Sequence, residues 1–288
     1  MTDSTTERHA RQVQAWNGQM GAQWAASEAR TERGLAPVLA ALMDWAAPSP
    51  GMRVVDVGCG AGGTTLALTN AVAPTGHITG LDVSAVILEA ARTRLAETPN
   101  VTLTLADALT WSLPGEPADL LFSRFGVMFF GDPVAAFANL RRSLKPAGRF
   151  AFAAWAPLAE NPWMDIPYQA VLSILPPPAP PLPASDPNEP GQFAFGNPAR
   201  VLRLLHDAGY PTARVRPFDF NMRFPADDIA RTATGLANMG QTGRLLRDQP
   251  EPLRTQAASA IGQAITPLAQ GAWIDLPARV LLFDATAP

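Results

Sequence analysis

The chain has 288 residues, 47% hydrophobic and 16% charged, with a formal net charge of −3. That length supports a sizeable core with an insertion, and the charge supplies no basic field to draw nucleic acid or an anionic membrane. No apolar run reaches membrane-spanning length, residues 1–10 are polar, and the single Cys59 excludes an internal disulfide or multi-cysteine metal site, so a cytoplasmic chain without metal or membrane insertion is expected. Residues 8–47 read as helical, interrupted near Asn17, Gly18 and Gly21, and a PSPG linker leads out of them. Strands are expected at 53–57, 77–82, 101–106, 120–123 and 150–155, alternating with helices at 63–73, 85–96 and 133–143. That alternation predicts a parallel sheet. LPPPAPPLPASDPNEPG, residues 175–191, is too proline-dense for helix or inner strand. It reads as a semi-rigid surface loop, the alternative being a ligand for an SH3-like partner. A helix over 197–208, a strand over 214–220, a mostly helical stretch over 227–269 and a last strand over 278–284 complete the chain, with no internal repeat.

The most informative stretch is VVDVGCGAGGTT, residues 54–65. A buried strand turns through glycines into a helix whose first N–H groups have no helical partner. The glycines let the backbone approach a ligand, as at the nucleotide sites of doubly wound α/β folds. Read as G-x-G-x-x-G, Gly58 to Gly63 fits a dinucleotide. Read with Asp56 as D-x-G-x-G-x-G, the turn suits a cationic ligand and repels a pyrophosphate. S-adenosylmethionine carries a sulfonium and an amino group and no phosphate. ITGLDVS places Asp82 about twenty positions past Gly62, where a ribose diol is gripped. VTLTLADA ends a third strand in Asp107, so three strand-end acids face one sheet edge.

With these motifs the chain resembles class I S-adenosylmethionine-dependent methyltransferases, of the broad group that includes ubiquinone and menaquinone biosynthesis methyltransferases. DVGCGAG, LDVS, LADA, ADLLFSRFGVMFF (118–130) and LRRSLKPAGRFAFAAW (140–155) carry the resemblance, which covers 53–155 well and the remainder loosely. The last motif usually contains L-K-P-G-G; here Ala147 stands at the first glycine. The resemblance implies a Rossmann-like, doubly wound seven-stranded sheet with its last strand antiparallel, plus a mainly helical lid. It divides the chain into an N-terminal helical lid segment (1–50), a cofactor core (51–156), a proline-rich lid insertion (157–196) and a C-terminal part of the sheet (197–288) with a helical lid insertion at 225–271. The implied reaction is methyl transfer from S-adenosylmethionine, leaving S-adenosylhomocysteine; the apolar, aromatic-rich lid, rather than the motifs, favours a small apolar or aromatic acceptor.

On the cofactor side we expect Asp56, Gly58, Cys59 and Gly60 at the turn, and Asp82 on the ribose. Val83 and Ile87 are expected against the adenine, and Asp107 with Ala108 at its amino group. Ser123 and Arg124 fall where the family places the methionine moiety, and Trp16 is expected over the cofactor. Plainer roles stand beside these: a turn cap for Asp56, an N-cap for Asp107, core packing for Val83 and Ile87, an ion pair for Arg124. The Cys59 side chain reads as a small buried filler. Trp24, Phe125, Met128, Phe129 and Trp163 are candidate substrate walls, or core and lid packing. Of three histidines, His77 starts a strand at the wrong edge, His206 faces away, and His9 lies near the N-terminus. Tyr168 and Tyr210 lie outside the motifs. No catalytic base is assigned, because alignment and water exclusion can supply the acceleration.

Other classes remain open at this point. A short-chain nicotinamide-dependent reductase needs Tyr-x-x-x-Lys, and Arg141 precedes Lys145, the only lysine among 22 basic residues. A nucleic-acid methyltransferase would use Asn161-Pro162-Trp163, a partial motif without a basic surround. A catalytically inactive cofactor-binding regulator or scaffold shares every motif. The acceptor atom and the oligomeric state are not legible.

Overall fold

A computed structural model of the chain describes residues 4–175 and 189–288, with the backbone alone at 27–30. Most of the proline-rich stretch therefore lies outside the described residues. Helix α1 (Thr5–Asn17) starts at a capping box between Ser4 and Glu7, and α2 (Gln19–Ala46) follows directly after Gly18. Gly21 was expected to interrupt the helix, yet it lies inside α2. A Cβ there would stand 2.0 Å from the Trp16 carbonyl oxygen, so this glycine serves close approach of the two helices.

The core then alternates β1 (Arg53–Val57), α3 (Gly63–Val72), β2 (His77–Asp82), α4 (Ala85–Arg94), β3 (Val101–Leu105), β4 (Ala118–Arg124), α5 (Pro133–Arg141) and β5 (Leu144–Trp155). After it come α6 (Pro162–Leu172), α7 (Pro198–Asp207), β6 (Thr212–Pro225), α8 (Ile229–Ala237), α9 (Gly240–Leu246), α10 (Glu251–Ile265), the two-residue β7 (Ala269–Gln270) and β8 (Trp273–Thr286). The sheet order is β3-β2-β1-β4-β5-β8-β6, with β7 paired to β8 off this path. Strands β1 to β5 pair in parallel and β8 runs antiparallel to β5, as the resemblance implied. Strand order reverses between β1 and β4, and such a switch point opens a crevice at the carboxyl ends. There the two turns touch glycine to glycine: a Cβ on Gly58 would lie 2.8 Å from Gly126 Cα.

Three elements differ from the sequence reading. Strand β6 extends to Pro225 because Phe218, Phe220, Met222 and Phe224 alternate with Asp219, Asn221 and Arg223. The helical stretch after it breaks into three, at Gly240 with φ +51° and at Pro250, which caps α10. Strand β5 starts early, through an irregular Lys145-Pro146-Ala147-Gly148 turn whose register shifts against β4. Ala147 there has φ +60°, a region that costs a residue with a Cβ about 1–2 kcal/mol. Ala147→Gly is expected to stabilise the chain by up to about 1 kcal/mol, net of glycine's backbone entropy, and to raise Tm by about 2–4 °C. A lower Tm for the variant would contradict the strain.

By packing, the chain forms two units where the sequence reading drew four segments. The first holds the chain up to Trp155, the segment ending at Phe218 and the stretch from Val280 onward; the second begins at Ala156 and includes Asp219–Arg279. The N-terminal helices thus belong to the compact unit that carries the glycine turn. Phe122, Phe137, Phe150, Phe152 and Phe283 fill that unit, with Phe152 and Phe283 stacked at 4.8 Å. In the second unit α6, α8 and α10 bury Trp163, Tyr168, Leu236 and Ile261.

Candidate active site

The carboxyl ends of β1, β2, β3 and β4 bring the cofactor-side candidates together. Asp56, on β1, is fully buried, and its Oδ2 accepts from the Thr64 and Thr65 hydroxyls at 2.6 and 2.7 Å. The start of α3 has only Gly62 at its cap, so Asp56 ties strand to helix from below. Its Oδ1 is buried without a partner among the described residues. Burial pushes this carboxyl up to about 6, against the pull of both hydroxyls and of Arg124.

Asp82, at the end of β2, accepts from the Gly60 N–H at 2.8 Å on one oxygen and from the Ser84 N–H at 2.8 Å on the other. It therefore straps the glycine turn to the start of α4. Burial raises its carboxyl above the ordinary value, partly offset by those N–H groups. Val83 and Ile87 follow, Ile87 buried, with Ile87 Cγ2 3.9 Å from where a Cβ on Gly60 would stand. Asp107, after β3, meets His9 Nε2 at 2.5 Å and accepts from the Leu109 N–H at 2.9 Å. Ala108 is buried and its carbonyl accepts from Asn139. Cys59 is buried against Leu88, Ala91 and Leu103, and burial pushes its thiol well above the ordinary value.

On β4 the Ser123 hydroxyl donates to the Val57 carbonyl at 2.7 Å, knitting β4 to β1. The Arg124 side chain, 6% exposed, pairs through Nη2 with Glu32 of α2, and its Nη1 is buried without a partner among the described residues. Phe125 follows with φ +70°, a conformation rare for a bulky residue and typical of strained functional turns. Its ring stacks on Trp155 at 4.8 Å. Met128, expected as a substrate wall or as core packing, lies on the core side of this pair. It is 1% exposed, and its sulfur accepts from the Trp155 N–H, so it backs the aromatic pair from the core.

The N-terminal helices reach this edge through their backbone. The Trp16 carbonyl accepts from the Ser84 hydroxyl at 2.7 Å, and Asn17 bonds both the Val83 carbonyl and the Ala85 N–H. The Trp16 ring meets Phe129 edge-on at 4.8 Å and Trp24 at 6.3 Å. Trp24 Nε1 in turn lies 3.7 Å from where a Cβ on Gly60 would stand. Trp163 lies in the second unit, lining a small gap with Met164, Pro167, Leu236 and Met239. His77 bonds Thr102, and His206 is exposed beside Asp207. The sequence reading missed Glu32, one carboxylate in a charged helical stretch, which gave no signal of its own. Among the described residues no cluster of histidine, cysteine or acid could hold a metal ion, and no helix is long and apolar enough to cross a membrane.

Residues 54–148, from β1 through α5 to the irregular turn, match the family model described as a methyltransferase domain. Over this stretch the chain is similar to methyltransferase domains. A demethylmenaquinone methyltransferase of Staphylococcus aureus (strain JH9) is 37% identical over 98 residues, 34% of this chain and 41% of that relative. The aligned part thus takes in less than half of the relative's length. Among solved structures, the YcgJ protein of Bacillus subtilis matches with a TM-score of 0.54 at 18% identity, over 86% of this chain and 97% of that one. A Haemonchus contortus phosphoethanolamine N-methyltransferase 2 in complex with S-adenosyl-L-methionine matches with a TM-score of 0.51 at 17% identity, over 88% and 52%. At these identities the structures speak for the methyltransferase-domain fold alone.

Proposed function

We propose that this chain transfers the methyl group of S-adenosylmethionine to a small apolar or aromatic acceptor. The observation that carries the reading is the ring of Asp56, Asp82 and Asp107 at three adjacent strand ends around a glycine turn. Such an edge is open to backbone approach, attracts a cation and disfavours a pyrophosphate. The residues fit the cofactor in two further ways: Asp56 Oδ1 and Arg124 Nη1 are a buried acceptor and a buried donor with nothing among the described residues to meet. Asp82 would hold the ribose hydroxyls, Val83 and Ile87 the adenine plane, and Asp107 the adenine amino group, beside or in exchange for His9.

S-adenosylmethionine supplies a methyl group on a sulfonium that is already a good leaving group. The chain's own contribution is then alignment and water exclusion. Trp16, Trp24 and Phe129 form one aromatic cluster and Phe125 with Trp155 another, walls suited to a flat acceptor. An acidic phenol or enol needs little help in losing its proton, so no base is assigned. The name of the Staphylococcus relative makes a quinol ring the first acceptor to try. A turnover assay reading S-adenosylhomocysteine release across quinols, phenols, amines and thiols tests the reading. Release with a quinol or phenol supports it; tight cofactor binding with no release on any acceptor would favour a binding-only regulator.

The N-terminal segment is part of this proposal as a cover over the cofactor. Hydrogen exchange over residues 10–26 is expected to slow when S-adenosylhomocysteine is added, because Trp16 and Asn17 are bonded to the turn after β2. Equal protection in both states, with Trp16→Ala leaving affinity unchanged, would make the segment scaffold.

A further inference from the structure

Strand β6 is the last strand of the sheet, and among the described residues no strand pairs its outer edge. It runs for 14 residues, long for an edge left open, because unpaired N–H and C=O groups along an edge template another strand. The ladder with β8 sets which of its groups point outward. Asp219 holds Arg279 of β8 through hydrogen bonds at 2.5 and 3.0 Å, and Arg223 holds Asp275 at 2.7 and 2.9 Å. The steps from 219 to 223 and from 279 to 275 match in length and run in opposite directions, so Asp219 lies opposite Arg279 and Arg223 opposite Asp275 in an antiparallel register. The Arg279 N–H donates to Asn161 Oδ1, and its carbonyl accepts from the N–H of Ala156, the residue after β5, so both groups turn away from β6. The residue opposite then turns its own N–H and C=O outward, and so do those two positions along. The outward groups are therefore those of Asp219, Asn221 and Arg223. Pro217 and Pro225 share this phase, where a missing N–H costs the β8 ladder nothing.

Between those prolines the run Phe218-Asp219-Phe220-Asn221-Met222-Arg223-Phe224 has the same chemistry read in either direction, with an acid mirrored by a base. We propose that this edge binds a second copy of itself, antiparallel, about a twofold axis at Asn221. Asn221 then faces Asn221 of the second copy. The outward N–H and C=O groups of Asp219 bond those of Arg223 across the axis, and the reverse. Each Asp219, exposed on its strand, stands between Arg279 of its own β8 and Arg223 of the second copy. Charges alternate across the joined strands in the order Arg279, Asp219, Arg223, Asp275, and opposite charges directly across a ladder attract. On the other face Phe218 lies opposite Phe224 and Phe220 opposite Met222, so half-buried apolar side chains gain cover. The ladder ends where Pro217 lies opposite Pro225 and neither can donate. A patch that complements itself in this way closes as a dimer and does not propagate.

Sedimentation equilibrium of the full chain, with circular dichroism to check folding, tests it. The wild type is expected to be a dimer at micromolar concentration. Asn221→Pro removes the central N–H, which the ladder with β8 does not use, and should raise the dimer dissociation constant roughly tenfold or more. Asn221→Arg keeps every backbone group and sets two like charges face to face on the axis. It should give the same loss, which covers the case that Asn221→Pro does not fold. Asn221→Ala leaves the pairing backbone whole and should keep the dimer. A monomeric wild type would overturn the inference and leave β6 a solitary edge guarded by its prolines and charges. A dimer that survives both Asn221→Pro and Asn221→Arg in folded chains would also overturn it, and would put the association on another face.

Discussion

Alanine at position 82 is expected to weaken S-adenosylhomocysteine binding by about 1.5–3 kcal/mol, roughly ten- to a hundredfold. A carboxylate hydrogen-bonded to ribose hydroxyls has that worth, and Asp82 stands at the end of β2 beside the glycine turn. The structure adds a second effect. Both Asp82 oxygens already accept backbone N–H groups, from Gly60 and from Ser84, so the variant also loosens the turn from α4. Tm should therefore fall by several degrees while the chain stays folded. Asp82→Asn separates the two contributions, since the amide keeps one acceptor for the turn and loses the charge. Unchanged affinity in a folded Asp82→Ala variant would reduce this residue to a structural strap.

The second large effect concerns pH. Asp56 has its carboxyl raised from 3.8 to about 6, chiefly because it is removed from water, with Thr64, Thr65 and Arg124 pulling the other way. A raised acid means the folded chain holds this proton more tightly than the unfolded chain. Stability contributed by the protonated group is present below about pH 4 and is lost as pH rises to about 6. The ionised group then costs the fold on the order of 3 kcal/mol at neutral pH. An amide side chain does not titrate, so urea midpoints for Asp56→Asn should gain on the wild type between pH 4 and 7. The same substitution removes a negative charge from the cofactor edge and should weaken S-adenosylhomocysteine at pH 7.5. A stability difference that stays constant from pH 4 to 7 would mean that Asp56 is solvated or firmly paired, against its burial.

Strands β1 and β2 were legible to the residue because each is a short apolar run closed by an acid or glycine. The order of the glycine turn, Asp82 and Asp107 along the chain points to one sheet edge, where β1, β2 and β3 end side by side. What stayed hidden depends on contacts distant in sequence. Gly21 looks like a helix breaker until the Trp16 carbonyl is seen against it. Gly63 looks like one more flexible residue until Glu32 is seen on its surface. Met128 has the composition of a pocket residue, but the Trp155 N–H holds its sulfur in the core. The full length of β6 is legible in the alternation of its phenylalanines, which continues past the expected end at 220 to Phe224. Trp163 is aromatic and buried, and its surroundings in α6, α8 and α9 are not predictable from its neighbours in sequence.

The central claim is that the acid-ringed glycine turn binds an S-adenosyl amino acid and not a dinucleotide. Titration calorimetry of the full chain with S-adenosylhomocysteine and, separately, with NAD tests it most directly. Saturable one-to-one binding of S-adenosylhomocysteine with no measurable heat from NAD is the predicted result. NAD binding more tightly than S-adenosylhomocysteine would contradict the account.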